Sequence, residues 1–109
     1  MLMDAGLYLA RFRTPLDDAS GIIVVTGDRV HGGDSGMYYT GQITGEDNAI
    51  KVRLRVRQHD DSRPSVFGEV DDFTLVLTGR RKGADYHFEG RADRGPSLRF
   101  EAVLTRVED

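Results

Sequence analysis

The segment IKVRLRVR, residues 50–57, alternates apolar and basic residues without a break. This period of two residues is typical of a strand with one buried and one exposed face. The segment before it, Tyr38–Ile43, is rich in strand-forming residues, and the polar stretch Thr44–Asn48 separates the two. The sequence therefore predicts a β-hairpin with an apolar face and an acidic turn. It also predicts a basic stripe on the opposite face, formed by Lys51, Arg53, Arg55 and Arg57.

Alternating or β-branched runs predict six further strands, at Gly6–Arg13, Gly21–Thr26, Arg29–His31, Phe73–Thr78, Tyr86–Ala92 and Ser97–Arg106. Most of the connections are short: Gly27-Asp28 is a glycine-first hairpin turn, Gly79–Gly83 is a basic turn, and Gly95-Pro96 also turns the chain. Eight sequential antiparallel strands favour an all-β domain over residues 1–109, a small up-and-down barrel. A β-sandwich is the alternative.

Three segments are predicted to interrupt this pattern. Thr14–Ala19 has the helix-start residues Thr and Pro followed by two acids, which predicts a single helical turn. Gly32–Gly36 contains three glycines and predicts a bulge or corner that ends the short third strand. Gln58–Asp71 is the longest irregular segment, and its length is typical of a lid or a binding loop.

Composition limits the classes of function. The chain has 109 residues, no cysteine and a formal net charge of −3. It therefore has no disulfide, thiolate metal site or cysteine nucleophile, and no global attraction for nucleic acid or anionic lipid. Met1–Ala10 lacks the features of a secretory signal, and no apolar run reaches membrane-span length. We expect a cytoplasmic protein without direct nucleic-acid or membrane partners.

No constellation of catalytic or metal-binding residues is visible. The three histidines, His31, His59 and His87, are not paired at ligand spacing, and the nucleophile, phosphate-loop and zinc motifs are absent. We expect neither enzymatic activity nor a metal or cofactor.

The basic stripe has two interpretations. Extended by Arg80, Arg81 and Lys82, it forms a surface for a nucleic acid or an acidic protein. Alternatively it is a solvated face, paired across strands with residues such as Glu89 or Glu101.

The inward-facing aromatic and aliphatic residues also have two interpretations. One is a packed core, and the other is the lining of a pocket for a small apolar ligand. The candidate lining residues are Tyr8, Phe12, Tyr39, Val52, Leu54, Phe73, Leu75, Phe88 and Phe100.

Several short motifs resemble the GrlR-like regulatory proteins, which are bacterial negative regulators of type III secretion. The opening Met-x-Met-x-x-Gly-Leu-Tyr and the stretch Val30–Asp34 resemble corresponding segments of that family. Further matching positions are Phe12, Tyr39, Gly41, Arg57, His59, Pro64, Ser65 and Val66.

The resemblance implies a lipocalin-like barrel that dimerises and binds a helix-turn-helix transcription activator through an exposed acidic turn. That turn corresponds to Gly45, Glu46, Asp47 and Asn48, of which only Glu46 and Asp47 are acidic here. The function expected is therefore a regulator acting through a protein partner, and the alternative is a carrier or sensor of a small apolar ligand. A homodimer is also expected because Ile22–Val25 places β-branched residues on both faces of one strand.

Overall fold

A closed antiparallel barrel is formed by residues 2–60 and 71–108, which the computed structural model describes apart from the side chain of Glu108. The described strands are Gly6–Arg13 (β1), Asp18–Thr26 (β2), Arg29–Gly33 (β3), Met37–Glu46 (β4), Ala49–Gln58 (β5), Asp72–Lys82 (β6), Asp85–Ala92 (β7) and Phe100–Glu108 (β8). Each pairs with its neighbours in sequence, and β1 also pairs with β8. The predicted all-β, up-and-down barrel, resembling a small lipocalin, is confirmed.

Alternation along the strands builds the core. In β5, Ile50, Val52, Leu54 and Val56 are buried, whereas the basic stripe on the same strand is exposed. Because successive side chains of a strand point to opposite faces, closing the sheet brings all the inward apolar residues together. The buried apolar residues of the other strands include Tyr8, Ile23, Val30, Tyr39, Ile43, Phe73, Leu75, Leu77, Tyr86, Phe88, Phe100 and Leu104.

The barrel has two distinct ends. At the end that we call the mouth, connecting segments 14–17, 34–36 and 93–99 join the strands. At the opposite end, called the tip end, the strands are joined by the two-residue turns 27–28, 47–48 and 83–84. β5 ends and β6 begins at the mouth, and most of the predicted lid, Gln58–Asp71, lies outside the described residues.

Residues 2–5 lie at the tip end, before β1 begins. Met3 is buried in the core. The Asp4 carboxylate pairs with the Arg81 guanidinium, and the Asp4 N–H donates to the Tyr86 hydroxyl at 3.2 Å. The apolar interior is therefore covered by Met3 at this end, whereas polar segments surround it at the mouth.

The helical turn predicted at Thr14–Ala19 is wrong, because β2 begins at Asp18 and Arg13 pairs with Asp18. Only four residues separate the two strands. They form a tight turn in which the Thr14 N–H donates to the Asp17 carbonyl oxygen at 2.9 Å. The Thr14 hydroxyl accepts from the Leu16 N–H at 3.2 Å, which is the interaction expected of a cap, but no helix follows.

The glycine-rich break is shorter than predicted. Gly32 and Gly33 belong to β3 and pair with Ile23 and Ile22, so the interruption is confined to residues 34–36. A Cβ on Gly33 would lie 2.9 Å from the Met37 carbonyl oxygen. Glycine is thus needed here for close approach between backbones rather than for a bulge.

Two other turns lie later in the chain than predicted. β6 continues through Lys82, so the turn is Gly83-Ala84 instead of Gly79–Gly83, and Gly83 takes the required positive φ of 66°. β4 likewise continues to Glu46, which leaves only Asp47 and Asn48 in its turn. Near the mouth, β8 begins at Phe100 rather than Ser97, after a turn in which the Leu98 N–H donates to the Gly95 carbonyl oxygen.

Candidate functional site

The barrel encloses an apolar cavity of about 280 Å³. Eight of the nine residues predicted to line a pocket do line it: Phe12, Tyr39, Val52, Leu54, Phe73, Leu75, Phe88 and Phe100. The Phe12 ring stacks on Phe100, with centroids 5.9 Å apart, and meets Tyr39 edge-on. The volume is close to the lower limit of small-molecule sites.

Tyr8 is the exception among the nine. Its side chain is fully buried outside the cavity lining, and its hydroxyl donates to the Asp4 carbonyl oxygen at 2.6 Å. Its ring packs edge-on against Tyr86. Burial, followed by the influence of Tyr86, raises the pKa of Tyr8 to about 12. Tyr8 therefore fixes the segment that precedes β1.

A polar cluster at the mouth of the cavity centres on Asp34. Its Oδ1 accepts from the backbone N–H groups of Gly36 and Met37 at 2.9 and 2.8 Å. Its Oδ2 accepts from the Tyr39 hydroxyl. Burial and this hydrogen bond raise the pKa of Tyr39, so the phenol stays protonated and remains the donor. Three polar partners thus hold the carboxylate in one orientation.

The end of β5 fixes the same mouth segment. The His59 N–H donates to the Gly36 carbonyl oxygen at 2.8 Å, and the His59 ring nitrogen Nε2 lies 2.9 Å from the Asp34 carbonyl oxygen. The position of Gly21 explains how Tyr39 reaches the mouth, because a Cβ there would lie 2.9 Å from the Tyr39 hydroxyl. The Tyr39 hydroxyl therefore lies against β2 at Gly21, and the corner that carries Asp34 is bonded to the residue that follows β5.

The polar part of the cavity lining is acidic. Asp17 and Asp34 carry its charge, Ser20 and Ser35 add hydroxyl groups, and no Lys, Arg or His of the described chain belongs to the lining. Asp34 was not among the residues predicted for a site. Its signal was an Asp followed closely by Gly at a strand end, the pattern of a side chain that accepts from the backbone ahead.

The acidic tip, residues Gly45–Asn48, lies at the opposite end. Its residues are exposed, and Gly45 has a φ of 100°, which favours glycine. Glu46 pairs with Ala49 across the last rung of the ladder. Within the described residues, neither Glu46 nor Asp47 has an ion-pair partner. Both carboxylates therefore project into solvent from the end of a paired ladder.

The basic stripe has a different partner from those predicted. Arg55 donates to both carboxylate oxygens of Asp72 at 2.8 and 2.9 Å, and Arg57 lies 3.7 Å from the same group. Lys51 and Arg53 have no ion pair within residues 2–60 and 71–108. The acids predicted to pair with the stripe, Glu89 and Glu101, instead form ion pairs with Arg99.

The three histidines lie apart. His31 and His87 are exposed on β3 and β7, and His59 follows β5 at the mouth. The described part of the chain contains no cluster of three or more His, Cys, Asp or Glu residues arranged to hold a metal ion. Within the same residues, no helix has the length and hydrophobicity needed to span a membrane.

A scan against models of known protein families and a search of curated proteins both found no match to this chain.

Proposed function

We propose that this chain is a small cytoplasmic regulatory protein that acts by binding a partner protein through its acidic tip. The resemblance to GrlR-like negative regulators of type III secretion motivates this function, and a helix-turn-helix transcription activator is the kind of partner it suggests. Glu46 and Asp47 carry the proposal, because both carboxylates are exposed at the end of the β4–β5 ladder and have no ion-pair partner within the described residues.

The energetics of the tip support a role in recognition. Exposed charges contribute little to folding, typically under about 1 kcal/mol. They accelerate encounter with a basic surface and disfavour an acidic one. Arginine residues on a DNA-binding helix form such a basic surface, so occupying them would keep an activator off DNA.

The test is replacement of Glu46 and Asp47 by alanine. We expect the melting temperature to stay nearly constant, while association with the partner slows about tenfold at low ionic strength. The partner is first isolated from the native host with wild-type protein and identified by mass spectrometry. Purified partner is then titrated with both forms of the protein.

A matched control changes Asp28 and Asp85 to alanine, which removes the same charge from the turn 27–28 and from the first residue of β7, both at the tip end. We expect this variant to bind like the wild type. If the Glu46/Asp47 variant binds with unchanged affinity at low salt, the tip is only a turn and the proposal fails.

A second function, binding of a small apolar ligand, is favoured by the aromatic-lined cavity of about 280 Å³. An apolar cavity of about 150 Å³ is large enough to bind benzene, so this one has room for roughly ten non-hydrogen atoms. Binding of propylbenzene, a hydrocarbon without a polar group, tests this function by itself.

A further inference from the structure

The mouth of the cavity presents hydrogen-bond acceptors to any molecule inside. An ionised carboxylate has about four acceptor positions. The described residues fill three of them on Asp34: two backbone N–H groups on Oδ1 and the Tyr39 hydroxyl on Oδ2. No other described residue occupies the fourth position, on Oδ2, which lies beside a phenolic oxygen whose own proton is already donated.

The charge of the cavity lining also favours a ligand that donates a hydrogen bond. Asp17 and Asp34 are its charged members, and within the described residues no cation offsets them there. A ligand carboxylate placed at the mouth would face like charge, and the described lining offers it no cation but only the neutral hydroxyl groups of Ser20 and Ser35. An alcohol or ammonium group would satisfy the free acceptors, and a charged donor would gain most from them.

We propose that the cavity binds a small molecule with an aromatic or alicyclic body and a hydrogen-bond-donating head group, an alcohol or an amine, and that it rejects the corresponding carboxylate. The body lies among Phe12, Phe88 and Phe100, and the head group reaches Asp34 Oδ2. This inference rests on the second proposed function, that the cavity takes a ligand, and adds the chemistry that selects it.

Four probes with one carbon skeleton test the selection: phenylpropylamine, phenylpropanol, propylbenzene and phenylpropanoate. Their affinities for the full chain are measured by calorimetry and by chemical-shift changes of the backbone amides. We expect the amine to bind about tenfold more tightly than propylbenzene, because a hydrogen bond to a charged group is gained. The alcohol should fall between them, and phenylpropanoate should bind most weakly.

The variant Asp34→Asn changes the acceptor into a donor with little change in shape. Its amide oxygen can still accept from Gly36 and Met37, while its NH₂ group takes the place of Oδ2. We expect the order of the charged probes to reverse, with phenylpropanoate gaining and phenylpropylamine losing about tenfold. Asp28→Asn, the same substitution in the exposed turn 27–28 of the tip end, should leave all four affinities unchanged.

Asp17→Asn provides a second variant in case Asp34→Asn fails to fold. Asp17 is exposed, so the substitution should be tolerated, and it should reduce the discrimination against phenylpropanoate. Equal affinity for all four probes would overturn the selection rule and leave ligand binding standing. Absence of binding for every probe, including propylbenzene, would overturn both.

Discussion

The ion pair that Asp72 forms on the barrel surface makes the stability of the fold sensitive to acid. Asp72 accepts two hydrogen bonds from Arg55, and this interaction lowers the pKa of the Asp72 carboxyl group from its ordinary value near 3.8. The pair links β5 to β6 at the point where β6 begins. Because both side chains are about half exposed, solvent screens the interaction and its contribution is small.

The sign of the pH dependence follows from the direction of this shift. A carboxyl group with a lowered pKa in the folded state stabilises the fold above its ordinary pKa, and this stability is lost as pH falls through the lowered value. We expect Asp72→Asn to lower the urea midpoint at neutral pH and to flatten its decline below about pH 4. Urea titrations across this range provide the measurement.

The control is Asp47→Asn, because Asp47 has no ion-pair partner within the described chain. This variant should retain the acid-induced decline of the wild type. A decline of equal steepness in Asp72→Asn would show that the ion pair does not couple to folding.

Among the elements, β1 and β2 carry an apolar outer face. Leu7 lies opposite Val24 and Leu9 opposite Ile22, all pointing away from the barrel interior. Ile22 is 43% exposed and Val24 40% exposed. Adjacent apolar pairs on an exterior sheet face are typical of an interaction surface. We propose that two copies of the chain associate through this face.

Light scattering at micromolar concentration tests the dimer. We expect Val24→Lys to convert it to a monomer, because the interface would then bury a charge without a partner. Val76→Lys is the matched control: Val76 is 53% exposed on β6, in register with Arg53 and Arg91 rather than with an apolar neighbour. A wild-type protein that is monomeric at this concentration would contradict the association.

Some of these elements could be predicted from the sequence, and others could not. The alternation of residues 50–57 predicted β5 because burial on one face dictates the pattern directly. The Thr14 capping signal predicted a helix that does not form, since pairing of Asp18 with Arg13 leaves too few residues. The aromatic lining of the cavity was predicted from inward-facing positions. The role of Asp34 was not predicted, because its hydrogen bond to Tyr39 depends on how the turn at residues 34–36 folds back toward β4.

At the scale of the whole molecule, closure removes the free edges of the sheet. β1 pairs with both β2 and β8, so its N–H and C=O groups have partners on each side. We expect backbone amides of β1 and β8 to exchange with solvent as slowly as those of the central hairpin β4–β5, as measured by hydrogen–deuterium exchange.

The two-residue turns at the tip end provide an internal reference, since their amides should exchange quickly. If the amides of β1 that face β8 exchanged as fast as these turns, the barrel would be open at that seam in solution.

The strand β4 runs the full length of the barrel, with Tyr39 near the mouth and Glu46 at the acidic tip. Glu46 is the seventh residue after Tyr39, a span of roughly 23 Å in an extended strand. A ligand in the cavity and a protein at the tip would thus share no contact residue. Any influence of one on the other must pass through this strand and its ladders, and by thermodynamic linkage it must be reciprocal. A small molecule that weakened binding of the proposed partner would itself bind more weakly whenever that partner was bound.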